Sequence, residues 1–188
     1  DGYFDFGDLQ LWYISRFRER TFNDGNGHPS SGLNVTTSLY ERSEGKEADD
    51  IAARFSTFSG DWDFAVSGFQ GTAREPLITP TQDSSALNAT YILQETIGFE
   101  AQFTGDPTLL KWESLHGTQS GAGFDAAVAG LEYTLYGAFG QVWDLGLIAE
   151  GQYDTRPQAA AERFYSAGLR LVLNDAKQPV SQVTINIP

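Results

Sequence analysis

"WDLGLIAEGQYDTRP" (residues 143–157) alternates without a break between two kinds of side chain. On an extended strand successive side chains point to opposite faces. Trp143, Leu145, Leu147, Ala149, Gly151 and Tyr153 therefore share one face, and Asp144, Gly146, Ile148, Glu150, Gln152 and Asp154 share the other. One face is apolar and the other carries three carboxylates. The fold depends on which of the two faces inward.

The composition narrows the options. A chain of 188 residues is long enough for one sizeable domain, 1–188, and no linker or change of composition divides it. With 40% apolar and 13% aromatic residues it can fold. The absence of Cys removes disulfides, thiolate metal sites and cysteine nucleophiles together. The absence of Met leads us to expect a processed form or a piece of a longer chain, incomplete at one or both ends. No apolar run is long enough for a transmembrane helix, but spanning strands leave a much weaker signal. A formal net charge of -13 argues against nucleic acid as a partner.

The same period of two recurs along the chain, with Gly, Asp, Asn, Ser and Pro between repeats. It appears in "LQLWYISRFRER" (9–20), "LNVTTSLYER" (33–42), "IAARFSTF" (51–58) and "WDFAVSGF" (62–69). It continues in "YILQETIGFEAQF" (91–103), "LLKWES" (109–114), "AVAGLEYTLYGAF" (127–139), "YSAGLRLVLN" (165–174) and "SQVTINI" (181–187). About ten antiparallel strands result. Glu95 is a misfit, falling on the apolar side of its strand.

Three features favour an apolar face that points outward. The strands are long for a globular sheet: ten steps from Trp143 to Tyr153 cover roughly 33 Å, or roughly 25 Å when tilted by about 40°. Aromatics sit near the ends of the apolar stripes, at Trp143, Tyr153, Tyr91, Phe103 and Phe139. Gly98, Gly130, Gly146 and Gly168 all fall on the polar side, where small residues relieve crowding on a concave wall. Connections near 59–61, 105–107 and 140–142 read as short, and those at 71–90, 117–123 and 156–162 as longer. The segment "NDGNGHPSSG" (23–32) breaks that alternation, because it should be short. The competing arrangement is a soluble β-sandwich or ligand-binding barrel with the apolar face as its core.

Over essentially its whole length, and most clearly in "LEYTLYGAFGQVWDLGLIAEGQYDTR" (131–156), the chain resembles bacterial outer-membrane β-barrels of the porin-like kind, including an uncharacterised group of such barrels. The resemblance implies an all-β antiparallel transmembrane barrel, whole or part of a larger one, in the bacterial outer membrane. Its partners would be outer-membrane lipid, lipopolysaccharide and small hydrophilic solutes. Such barrels usually end on an aromatic strand terminus, whereas this chain ends "VTINIP".

On that arrangement the lumen carries Arg16, Arg18, Arg20, Arg54, Glu100, Lys111, Glu113, Glu132, Asp144, Glu150 and Arg170, with the two signs nearly balanced. Charges without partners must meet water, which gives a channel for passive diffusion. Paired charges would instead plug a closed barrel that acts through its extracellular loops. Arg74 and Glu75, in the long segment 71–90, are candidates for a constriction folded into the mouth. No enzyme, cofactor or metal is expected. Of the two histidines, His116 follows the outward parity of Trp112 and Ser114, and His28 falls in a loop. "NDGNG" (23–27) lacks the spacing of a calcium loop, and "GAGF" (121–124) reads as a hairpin connection.

Overall fold

The computed structural model describes residues 1–22 and 34–173, and the backbone of 182–187. The strands are β1 (Gly2–Phe4), β2 (Gly7–Ile14), β3 (Val35–Tyr40), β4 (Asp50–Ser59), β5 (Trp62–Thr72), β6 (Leu77–Pro80) and β7 (Leu87–Tyr91). They continue with β8 (Leu93–Gly105), β9 (Thr108–Gln119), β10 (Ala122–Leu135), β11 (Trp143–Asp154), β12 (Arg163–Leu173) and β13 (Gln182–Ile187). Ten of them form one antiparallel sheet in the order β1-β2-β4-β5-β8-β9-β10-β11-β12-β13. That sheet is open, with β1 and β13 at its edges.

The sheet is staggered. A line straight across the ladder from Trp62 passes through Phe103, Leu110, Leu131, Ala149 and Ala167. β5 begins on that line at Trp62, whereas β12 runs on past it to Leu173. Progressive offset of this kind accompanies tilted strands and curvature.

The two faces differ in exposure as well as in chemistry. Leu11, Tyr13, Ile51, Val66, Ile97, Phe99, Leu110, Trp112, Leu131, Leu147 and Leu169 share the apolar face, and all are exposed. On the opposite face Ala65, Phe124 and Gln119 are buried, as are Gly98 and Gly146. Ile97 is 65% exposed while Ala65 is 3% exposed, which puts the polar face on the inside of the curve. Trp12, Phe58, Leu115 and Phe164 are among the exposed large apolar residues of that inner face. Gly98 shows the crowding: a Cβ there would come within 2.5 Å of Ser67 Oγ.

Connections divide by end. At the lower end β4–β5 and β8–β9 turn through 60–61 and 106–107, and β10–β11 through 136–142. At the upper end lie the long segments 15–49 and 73–92, the loop 155–162 and a tight turn at Ser120–Gly121, both residues with positive φ. The two long segments build a cap. In it β3 pairs in parallel with β7, which pairs with β6. Among the described residues the buried aromatic cluster lies there: Phe17 and Tyr91 are buried 4.8 Å apart, with Tyr40 stacked on Tyr91 at 5.5 Å.

Several sequence expectations need correction. Strand β2 ends at Ile14, so Arg16, Arg18 and Arg20 belong to the upper connection and do not line the wall. The stretch from Val35 to Tyr40 forms a strand, but in the cap, and β2 pairs directly with β4. No wall strand therefore intervenes between β2 and β4, and the segment 23–32 itself lies outside the described residues. Tyr91 is not at the rim of an apolar stripe but 1% exposed in the cap. Strand β10 ends at Leu135, leaving Phe139 in the lower connection, 83% exposed and 5.7 Å from the ring of Trp143. The segment 117–123 is a hairpin with a two-residue turn rather than a long loop, and 136–142 is longer than expected. Glu95 has a physical account: it lies near the upper end of the apolar face and accepts a 2.7 Å hydrogen bond from Gln70, its cross-strand neighbour. "NDGNG" and His28 lie outside the described residues.

Replacing Tyr91 with Ala should destabilise the cap by about 3–5 kcal/mol, the usual cost of deleting a buried aromatic. Hydrogen exchange should then accelerate at the amides of β3 and β7 while β9 to β11 keep their protection.

Candidate functional site

The site is the inner polar face and the cap above it. Alternation along β4, β5, β8 and β9 brings Arg54, Ser56, Asp63, Ala65, Glu100, Gln102, Lys111 and Glu113 around a hollow of about 490 Å³. A smaller hollow of about 210 Å³ adjoins it, shares Lys111 and Glu113, and is completed by Glu132 and Glu150. Of the expected wall charges, Arg54, Glu100, Lys111, Glu113, Glu132, Asp144, Glu150 and Arg170 lie on this face.

On it two ion pairs reach over an intervening strand. Arg54 on β4 meets Glu100 on β8 at 2.7 Å across β5. Arg170 on β12 meets Glu132 on β10 at 3.7 Å across β11. Strands two apart are separated by roughly 10 Å, so only a long side chain over a small one can close the gap. Gly146 supplies the room in the second case: a Cβ there would lie 3.3 Å from both Arg170 Cβ and Nε. Asp144 accepts the Gly137 N–H at 2.9 Å, and Glu150 accepts from Gln152 at 2.8 Å. Among the described residues neither Lys111 nor Glu113 enters an ion pair; both are exposed to the hollow.

Above the hollow, Arg74 and Glu75 follow β5. Arg74 pairs with Asp50 at 2.9 Å, and its guanidinium lies 5.1 Å from the Phe17 ring of the cap and 5.6 Å from the Phe69 ring of the polar face. Glu75 pairs with Arg20 at 3.8 Å. Its charge also reinforces that of Arg156, in the connection after β11. The adjacent Asp154 carboxylate, gripped at 2.9 and 3.0 Å by Arg156 Nε, holds that guanidinium more firmly charged than usual. Burial, together with the Glu19 carboxylate that accepts its hydroxyl, pushes the Tyr40 phenol above its ordinary range, so it stays a neutral donor. The Tyr91 hydroxyl accepts the Arg20 N–H at 2.9 Å. Glu41 accepts from Leu93 N–H and Ser120 Oγ, each at 2.6 Å, tying the cap to β8 and the β9–β10 turn.

Sequence reasoning missed Asp50, Arg42, Glu41 and Arg156. Parity places Asp50 on the polar face, but its complete burial depends on cap residues remote in sequence. The candidate His116 bonds to Asp125 at 2.7 Å, opposite it in the ladder, and is 78% exposed at its side chain. Among the described residues no group of His, Asp or Glu converges as a metal site.

Arg54 and Glu100 are each about one-third exposed or more, so water screens their attraction. A double-mutant cycle with Arg54→Met and Glu100→Gln, read by urea unfolding, should give a coupling of about 1 kcal/mol or less. A larger value would mean that the hollow is dry. Comparison with family models, with curated proteins and with solved structures returned no match for this chain.

Proposed function

We propose that this chain is the wall of a porin-like channel in the bacterial outer membrane, passing small hydrophilic solutes by passive diffusion. The observation that carries this reading is the inverted polarity of the sheet: from β2 to β12 the exposed face is predominantly apolar, and the sheltered face carries most of the charges. An exposed apolar surface of that extent is unfavourable in water and favourable against lipid. Charges such as Lys111 and Glu113, which face a hollow without an ion-pair partner among the described residues, need water.

Dimensions and connections fit the same reading. The 12 residues of β11, at about 3.3 Å each and about 40° of tilt, rise roughly 30 Å, enough to cross an apolar band of about 25 Å. Aromatic residues occupy both ends of the outer face: Trp62, Phe103, Tyr133 and Trp143 below, Tyr13, Tyr153 and Tyr165 above. The two longest connections gather at one end and the turns at 60–61 and 106–107 lie at the other, as extracellular loops and periplasmic turns do. Lipid and lipopolysaccharide would cover the outside, and closure of the wall into a barrel would complete the lumen.

A second reading is favoured by the cap and by the pairs Arg54–Glu100 and Arg170–Glu132. In it the barrel is plugged by its own charges and acts through its extracellular loops.

Single-channel recording of the folded, detergent-purified protein in a planar bilayer separates the two. Stepwise conductance is expected; silence from protein shown to be inserted would overturn the channel and leave the plugged barrel. Leu147→Arg places a charge on the outer face and should cost about 2–4 kcal/mol of stability in the membrane. The measurement is folding in lipid vesicles. An unchanged folding yield and stability would argue that this face does not meet lipid.

A further inference from the structure

The cap is fastened to the wall through one buried carboxylate. Asp50, the first residue of β4, is 0% exposed. Its Oδ1 accepts the N–H of Thr72, the last residue of β5, at 2.9 Å, so the carboxylate is built into the wall. Two cations then approach it, one from each cap segment: Arg74 Nη2 at 2.9 Å from Oδ2, and Arg42 Nη1 at 3.4 Å from Oδ1. Arg42 also donates to the Asp49 carbonyl at 2.8 Å. Gly71 leaves the space that the carboxylate occupies, since any Cβ there would collide with it. Oδ2 is paired with Arg74 without hydrogen-bond alignment, so charge attraction rather than a directed bond satisfies it.

A buried carboxylate stripped of its cations is strongly unfavourable. The cap therefore cannot lift away from the wall without uncovering Asp50, and while it is docked Arg74 is fixed between Phe17 and Phe69. Glu41 supplies a second tether, but an exposed one, whose bonds can be exchanged for water at little cost.

We propose that Asp50 is the positioning residue of the mouth: it latches the cap in place, holds Arg74 over the hollow, and so sets the narrowest aperture. This rests on the channel reading for its consequence, though not for the latch itself.

Two readouts keep the two ideas apart. In Asp50→Asn, which retains an oxygen for the Thr72 N–H, limited trypsin digestion of the folded protein in detergent should cut at Lys46 about tenfold faster than in wild type. In a bilayer the same variant should show larger conductance steps, with the thermal unfolding of the wall unchanged. Arg74→Gln, altering a half-exposed side chain that the wall does not need, should reproduce both effects if Asp50→Asn fails to fold. Glu41→Gln should change neither by more than about twofold. Faster cutting with a silent bilayer supports the latch and removes the channel. Unchanged cutting in both Asp50→Asn and Arg74→Gln, or equal release by Glu41→Gln, overturns the latch whatever the bilayer shows.

Discussion

Every strand of the main sheet must show one face inward and one outward, and on a curved sheet those faces are not equivalent. The inner one has less room and less access to solvent. This chain puts most of the sheet's charges, amides and glycines on the inner face and most of its large exposed apolar side chains on the outer one. An ordinary globular sheet does the reverse, because water rather than lipid is its surroundings. The hollow, the ion pairs that cross strands and the exposed apolar belt all follow from that assignment.

A consequence is that the sheet contributes little of the conventional core. Among the described residues the buried cluster lies in the cap, where Phe17 and Tyr91 pack together with the partly buried Tyr40. The wall is held by its backbone ladder and, in the proposed setting, by the lipid around it. The cap is held by aromatic packing and by the carboxylate at the joint. These two parts differ in the forces that stabilise them, so they can respond separately to substitution, to protease and to detergent.

Much of the wall was legible in the sequence. Alternation alone identified the cores of β4, β5 and β8 to β12, the shared face of Arg54, Glu100, Lys111, Glu113, Glu132, Asp144, Glu150 and Arg170, and the polar-side position of Gly98 and Gly146. It failed where alternation is ambiguous about what a strand pairs with. Arg16, Arg18 and Arg20 continue the period of β2, yet the ladder stops at Ile14 and Phe17 turns into the cap. "VTTSLY" has the pattern of a wall strand but pairs in parallel with β7. Tyr91 shares the parity of Leu93 but lies beyond the start of β8. The misplaced arginines also made the inner face look balanced in charge; without them the acids predominate over Arg54, Lys111 and Arg170.

The sequence by itself determined which residues share a face, because the two-residue period of an extended chain is local and needs no partner. It determined the unusual placement of glycine on the polar side. Only the tertiary structure decided which strands are neighbours, where the ladder ends, and that segments 15–49 and 73–92 meet around Asp50. Those outcomes depend on contacts between residues far apart in the chain, such as Arg42 and Arg74 on one carboxylate, and no local period records them. The burial of Asp50 belongs to the same class: the residue is one of two adjacent aspartates in the sequence, and what covers it comes from elsewhere.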